Sequence, residues 1–355
     1  MIKRALIAAL SAPALFVLAP PAGMGQAVPG DAVNVCAREG ELAVLCSLRR
    51  WEDLVLVPGT DWVVASSIND GGLHLIHARR KADIALYPSP SARQQPDTAT
   101  YGTCPHPPAP QARVAFSGVA VRPASARGTY TVYAVRANPY RPNIGPDRVG
   151  VEVFRLDLRG HEPTVTWTGC ILPPDVGVGL NSIAPLTGGG FLATNFNGGE
   201  GVTREKVAAG QHLGQIWEWE PAAGWTRLED TEVAGPNGIV ASPDGKVIFV
   251  SAWGAHNLIR IDRRTTPATR TVIPLGIRVD NLHWQADSKI LGAAQHDEGA
   301  ASVVEIDPKT MKVRTLFQKP NTDAFQHFTS AARVGNEIWI AASRAEGLGI
   351  IPAPR

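Results

Sequence analysis

The sequence predicts an all-β protein built as a six-bladed β-propeller, and three observations carry that expectation. Turn formers are abundant: 35 Gly and 29 Pro make 64 of 355 residues, about 18 per cent where roughly 12 per cent is usual. Six short runs of β-branched, aromatic and small apolar residues recur: WVVASS from Trp62, TVYAVR from Thr131, FLATNF from Phe191, VIFVSAW from Val247, KILGAAQ from Lys289 and IWIAAS from Ile338. Their starts lie 69, 60, 56, 42 and 49 residues apart, close to the roughly 40–50 residues of a four-stranded propeller blade.

Each run is followed by a second segment of alternating character: LHLIHA from Leu73, VEVFRLDL from Val151, QIWEWE from Gln215, NLIRID from Asn257, SVVEID from Ser302 and LGIIPA from Leu348. Alternation at period two, broken by Gly, Asn and Asp clusters, marks antiparallel hairpins. The more continuously apolar first members read as inner strands buried on both faces. A jelly roll or two stacked β-domains is the competing arrangement.

The N-terminus reads differently. Lys3 and Arg4, an apolar run from Ala5 to Leu18, and Gly25 and Ala27 at a small-residue exit have the layout of a secretory signal peptide over residues 1–27. The run falls short of the roughly 20 residues of a membrane span, so no stable membrane anchor is expected. Residues 28–355 then form a single propeller domain, with 79–112 and 136–150 as long loops over one face. The formal charge of +2 comes from 34 cations and 32 acids. Two of those cations and no acid lie in residues 1–27, leaving 32 of each. With no extended basic run, nucleic acid is excluded as a partner. Hydrophobic residues at 44% and charged residues at 19% exclude a disordered chain and a polytopic membrane protein.

Export to a secreted or periplasmic location makes disulfides the expected use of Cys36, Cys46, Cys104 and Cys170. There is no CxxC and no Cys/His zinc spacing. Cys36 with Cys46 is the expected pair, tying down the N-terminal segment, although four Cys allow three pairings and a free pair stays open.

No GxSxG, HExxH, P-loop or GxGxxG occurs. What stands out is a set of polar residues in matching phase ahead of the apolar runs. Glu52, Asn181 and Asn237 each lie ten residues before a run, and Asp280 and Asn281 lie nine and eight before theirs. Equivalent repeat positions converge on a propeller axis. Five oxygen-bearing side chains in a buried channel would cost several kcal/mol each without a partner. Two carboxylates and three amides, with no thiolate, suit a hard cation and the flexible coordination of calcium. The plainer alternative is that each Asn or Asp caps a turn.

The stretches WEDLVLVPGTDWVVASS, GLNSIAPLTGGGFLATNF, GPNGIVASPDGKVIFVSAWGAHNLIRI and IRVDNLHWQADSKILGAAQH resemble the paraoxonase/arylesterase branch of the SMP-30/gluconolactonase superfamily. The resemblance implies a six-bladed propeller with calcium on its axis, and it carries the five ligands of the catalytic ion onto Glu52, Asn181, Asn237, Asp280 and Asn281. The family also has a second, structural calcium. Asp53 matches one of its ligands, but Ser182 stands where another Asp is expected, so one ion is anticipated. The family's His dyad is not matched: Ser117 occupies the place of the first His and Asn138 lies near the second. His296 matches a pocket His of the family.

The function expected on these grounds is a calcium-dependent hydrolase of lactones or aryl esters, acting on a small-molecule substrate. His296, His283 or Asp280 would serve as the base that activates water. His327 is a third candidate histidine, while His74, His77 and His256 read as structural or exposed. The alternatives are a metal-dependent lyase, isomerase or phosphotriesterase on a ring-bearing compound, or a non-catalytic ligand-binding propeller. No oligomeric state follows, because a propeller closes on itself.

Overall fold

In the computed structural model, residues 35–46, 48, 50–68, 71–104, 114–136, 149–175, 178–199 and 201–354 are described. The segment 1–27, Asn138 and parts of the segments 79–112 and 136–150 lie outside these residues; within the first of the two expected loops, Ala82–Tyr87 is instead a strand paired with Leu73–His77. Six sheets follow one another along the chain, antiparallel except where Arg93–Gln94 pairs parallel with Thr166 and Trp167. Their first strands are Asp53–Leu56, Phe116–Pro123, Leu180–Pro185, Pro236–Ala241, Arg278–Trp284 and Phe325–Val334. Each touches the next and the last touches the first, so the six close a ring around a central channel. We number the sheets as blades 1 to 6 in that order.

Blade 6 is completed by the two ends of the chain. Its strands Phe325–Val334, Glu337–Ala345 and Leu348–Pro352 continue into Leu42–Leu45 and then Val35–Glu39, with Val44 opposite Gly349. Gly349 is required there, because a Cβ would meet Phe325 at 2.6 Å and Leu42 at 2.9 Å. Cys36–Cys46 staples this N-terminal hairpin and Cys104–Cys170 ties a loop to blade 2, so the described residues hold no free thiol. Among them, no helix is long and apolar enough to cross a membrane.

The core lies between blades in six apolar layers. Leu54, Val63 and Trp339 join blades 1 and 6; Tyr133, Phe191 and Trp219 join blades 2 and 3; Phe249, Leu282 and Ile290 join blades 4 and 5. Truncating one of the fully buried aromatic residues, such as Phe191, would cost about 3–5 kcal/mol.

One expectation is corrected. The apolar runs, from WVVASS to IWIAAS, are the second strands of their blades, and the inner strands are the segments that carry the polar residues themselves. A second strand has hydrogen-bonded neighbours on both sides and a packed blade on both faces, which produces its continuous apolarity. An inner strand turns part of its surface to the channel.

The inner strands are also kinked at one equivalent place. Between Leu180 and Ile183, Pro236 and Ile239, Val279 and Leu282, and Phe116 and Val119 two residues oppose one, and a like shift separates Phe328 from Ser330. Blade 1 keeps regular pairing. Such β-bulges break the alternation and re-aim side chains. The residues they release are Ser117–Gly118, Asn181–Ser182, Asn237–Gly238, Asp280–Asn281 and Thr329.

Candidate metal centre

Four of the five expected ligands, Glu52, Asn237, Asp280 and Asn281, neighbour one another at one mouth of the channel, and Asn181 stands at the equivalent place of its own strand. Asn237, Asp280 and Asn281 sit in bulges and are 5%, 6% and 1% exposed. Asn181 holds the same second position of its strand as Asn237 does. Glu52 immediately precedes the inner strand of blade 1, and its backbone carbonyl accepts from Asn281 Nδ2 at 3.4 Å.

The bulges are held by hydroxyls on the second strands. Ser66 Oγ donates to the Ser117 carbonyl, Thr194 Oγ1 to that of Asn237 at 2.8 Å, and Ser251 Oγ to that of Asp280 at 3.0 Å. In each case one blade fixes the bulge of the next. Gly118 and Gly238 allow the close approach: a Cβ on Gly118 would lie 2.5 Å from the Asn181 carbonyl oxygen, and one on Gly238 would lie 2.3 Å from that of Asp280. The Asn-Gly pair in GPNGIV is therefore a bulge, not the turn that its composition suggests.

The chemistry of this mouth calls for a cation. Asn237 Oδ1, Asp280 Oδ1 and Asn281 Oδ1 are buried acceptors without a donor, each costing about 1–3 kcal/mol. Burial, then the neighbouring Asp280 and Asp53 carboxylates, push the Glu52 carboxyl well above its usual range. Burial likewise raises Asp280 to about 7, against the opposing influence of Arg204 and the Asn237 and Gln295 side chains. Three orphaned acceptors beside two disfavoured carboxylates fit an oxygen-seeking divalent ion.

A second ion does not fit. Asp53 is fully buried and its carboxylate is already satisfied. Oδ1 accepts from Leu54 N at 2.9 Å and Ser330 Oγ at 2.7 Å and meets His283 Nε2 at 2.6 Å; Oδ2 accepts from Val119 N at 2.9 Å. Protein donors take the place that a structural cation would otherwise occupy.

The histidines separate clearly. His283 Nε2 is engaged by Asp53, whose buried carboxylate is the hub of these contacts, and the residue lines the apolar space on the far side of it. His296 meets Glu298 Oε1 at 3.1 Å and Ser302 Oγ at 2.9 Å through its two ring nitrogens. Ser117 Oγ donates to the Asn181 carbonyl at 3.0 Å. His74 pairs with Asp83 at 2.7 Å, His77 packs edge-on against Trp62, and His256 lies 3.5 Å from Asp297. His327 is half-buried, and among the described residues its ring has no hydrogen-bond partner. It stands in the inner strand of blade 6 with φ +58°, a left-handed conformation that is strained for a side chain in a strand and is often associated with function. Burial, Arg344 and Arg204 hold its pKa below the usual 6.5.

Gln295, at the end of a second strand, links these groups. Its Nε2 donates to Asp280 Oδ2 at 2.9 Å and to the Phe328 carbonyl at 3.2 Å, and its Oε1 accepts from Trp253 Nε1 at 3.4 Å. Arg204 and Arg278 both stack on the Trp253 ring, at 4.7 and 4.6 Å. Sequence reasoning singled out none of Gln295, Trp253 and Arg204. Only the phase of Gln295, just ahead of His296, offered a signal.

Further along the same strands the channel widens into a second space of about 630 Å³, lined by Leu54, Val121, Ile183, Ile239, Leu282 and Ala331 among others. None of the five ring residues lines it.

With this geometry in hand, known structures can be compared. The chain aligns with a luciferin-regenerating enzyme at TM-score 0.54 and 14% identity, covering 88% of this chain and 95% of that one. The fold is shared. A gluconolactonase from Xanthomonas campestris aligns at TM-score 0.52 and 12% identity, covering 88% and 89%, and a putative gluconolactonase at 0.52 and 14%, covering 88% and 92%. At these identities the likeness is one of fold. No protein-family profile and no curated protein sequence matches this chain.

Proposed function

We propose that the protein is an exported hydrolase of lactones or aryl esters that works with one calcium ion. The observation that carries the proposal is the set of three buried, donor-less oxygens of Asn237, Asp280 and Asn281 beside the raised carboxyls of Glu52 and Asp280. Glu52, Asn181, Asn237, Asp280 and Asn281 would hold the ion, with two carboxylates balancing its charge and three amides leaving it electrophilic. When bound, calcium supplies Lewis-acid polarisation of a substrate carbonyl.

The remaining work falls to the chain. His327, neutral at physiological pH because its pKa is depressed, takes a proton from the attacking water and returns it to the departing alcohol oxygen as the ring or ester C–O bond breaks. Of the expected bases, His296 has both ring nitrogens engaged, His283 gives its Nε2 to Asp53 and lines the apolar space rather than the ring, and Asp280 serves as a ligand. Gln295 fixes the orientation of Asp280 through one carboxylate oxygen, leaving the other directed to the ion. The two disulfides agree with export to an oxidising compartment.

A lyase or isomerase is the second reading. It is favoured by Ser117, which stands where the resembled family has a histidine and whose hydroxyl is spent on a backbone carbonyl. The test is elemental analysis of the purified protein, followed by γ- and δ-lactones, phenyl acetate and paraoxon assayed with and without EDTA. One calcium per chain and EDTA-sensitive lactone or ester turnover support the hydrolase; bound calcium with no turnover on this panel removes it in favour of the second reading.

A further inference from the structure

Once an ion balances Glu52 and Asp280, the mouth is left with positive charge that the protein does not answer. The nearby carboxylates are committed: Asp297 to Arg278 at 2.7 Å and His256 at 3.5 Å, Glu298 to His296 at 3.1 Å, and Asp53 to the hub. Glu205, next to Arg204 in sequence, bonds back to Thr203. Among the described residues, neither Arg204 nor Arg344 has a carboxylate partner.

Arg204 is nonetheless held in place. It begins the short helix Arg204–Ala208, whose Val207 packs with Phe196 and Trp253, and its guanidinium lies 4.7 Å from the Trp253 ring centroid. The same indole donates to Gln295, and Gln295 donates to Asp280. A continuous chain of contacts therefore fixes this cation relative to the ion ligands. Its charge reaches Glu52, Asp280 and His327. Arg344 lies opposite Gln326 on the neighbouring strand, and its charge also reaches His327.

We infer that Arg204, stacked on Trp253 and assisted by Arg344, recognises an anionic group, so that the preferred substrates are carboxylate-bearing lactones or esters. This rests on the reading of the mouth as an ion-assisted lactone or ester site. A guanidinium on an indole platform is pre-organised to receive a carboxylate through two parallel N–H donors. It would place the acyl or ring C–O bond over the ion ligands and beside His327. Neutral lactones would enter without this contact.

The test compares 5-oxotetrahydrofuran-2-carboxylate with neutral γ-valerolactone in the calcium-loaded protein. The anionic lactone is expected to have a kcat/KM about tenfold higher, an advantage that shrinks as salt rises to about 0.5 M. Arg204→Ala should lower the anionic-to-neutral ratio about tenfold, through KM, Arg204→Lys should recover part of it, and Arg79→Ala on an outer turn should leave the ratio unchanged. Calorimetry with the unreactive tetrahydrofuran-2-carboxylate gives a readout independent of turnover, with affinity about tenfold weaker in Arg204→Ala. Equal ratios, or equal calorimetric affinities in wild type and Arg204→Ala, overturn the inference while lactone turnover by the wild type preserves the hydrolase. Arg204-dependent carboxylate binding without turnover of either lactone preserves anion recognition by Arg204 and removes the hydrolase, and with it the lactone and ester substrates.

Discussion

The two ends of the channel are built from the same six strands, yet they are chemically opposite. At one mouth the inner strands are kinked, and their bulges carry Asn181, Asn237, Asp280 and Asn281. A few residues further on the strands run regularly and the wall around about 630 Å³ is mostly Val, Ile, Leu and Ala, with His283, Gln285 and Arg333 among its few polar residues. Between the two lies the Asp53 hub, closed by His283, Ser330 and two backbone amides. The difference shows that chemistry here is placed by backbone irregularity. Where pairing is regular the walls are largely apolar, and where the inner strands of blades 3, 4 and 5 add a residue they carry four of the five candidate ligands, Glu52 coming from just ahead of the regular strand of blade 1.

The sharpest way to break this contrast is at the ring. Glu52→Gln combined with Asp280→Asn should abolish calcium binding in calorimetry and lower turnover by about a thousandfold or more, leaving the apolar end untouched. Full activity in that double variant would refute the metal reading. His327→Gln should lower kcat by about 10²–10⁴-fold while elemental analysis still finds calcium, whereas a fall below threefold would move the base elsewhere.

The hub gives the next largest effect. His283→Ala leaves the Asp53 carboxylate buried without its ring partner and should lower stability by about 3–5 kcal/mol in urea titration. A negligible change would mean that the amides and Ser330 suffice. The ring itself should destabilise the ion-free protein in a pH-dependent way. Because Asp280 is raised to about 7, the native state holds a proton that the unfolded chain releases near pH 4. In EDTA the Tm should therefore fall as pH rises from about 4 to about 7. Calcium competes with that proton, so its stabilising increment should be larger at pH 8 than at pH 5, and a Tm rising with pH in EDTA would contradict the burial argument. The smallest effect is expected at the apolar end, where Val55→Phe should change lactone turnover by less than about twofold.

Much of this was legible because repeats amplify a weak signal. The spacing of six apolar runs gave the blade count, and the ten-residue phase of Glu52, Asn181 and Asn237, with Asp280 one residue off it, marked the candidate ligands. The inner strands were assigned to the wrong runs because apolar continuity marks a strand packed on every side, which describes the second strand. The bulges were hidden because one extra residue looks like a shorter or longer turn. Gln295, Trp253 and Arg204 act through contacts between segments distant in sequence, such as Gln295 to Phe328, and these have no periodic trace. The closing hairpin Val35–Leu45 was also unforeseen, since its partner strand lies some 300 residues away.

That closing hairpin constrains how the molecule is made. Blade 6 cannot be finished until Leu348–Pro352 has emerged to pair with Leu42–Leu45, and the mouth needs Glu52 from the first blade beside Asn281 from the fifth and Thr329 from the sixth. A ring of candidate ligands therefore exists only once all six blades have met. On the proposed reading the ion would be acquired by a folded chain, in whichever compartment its ring closes.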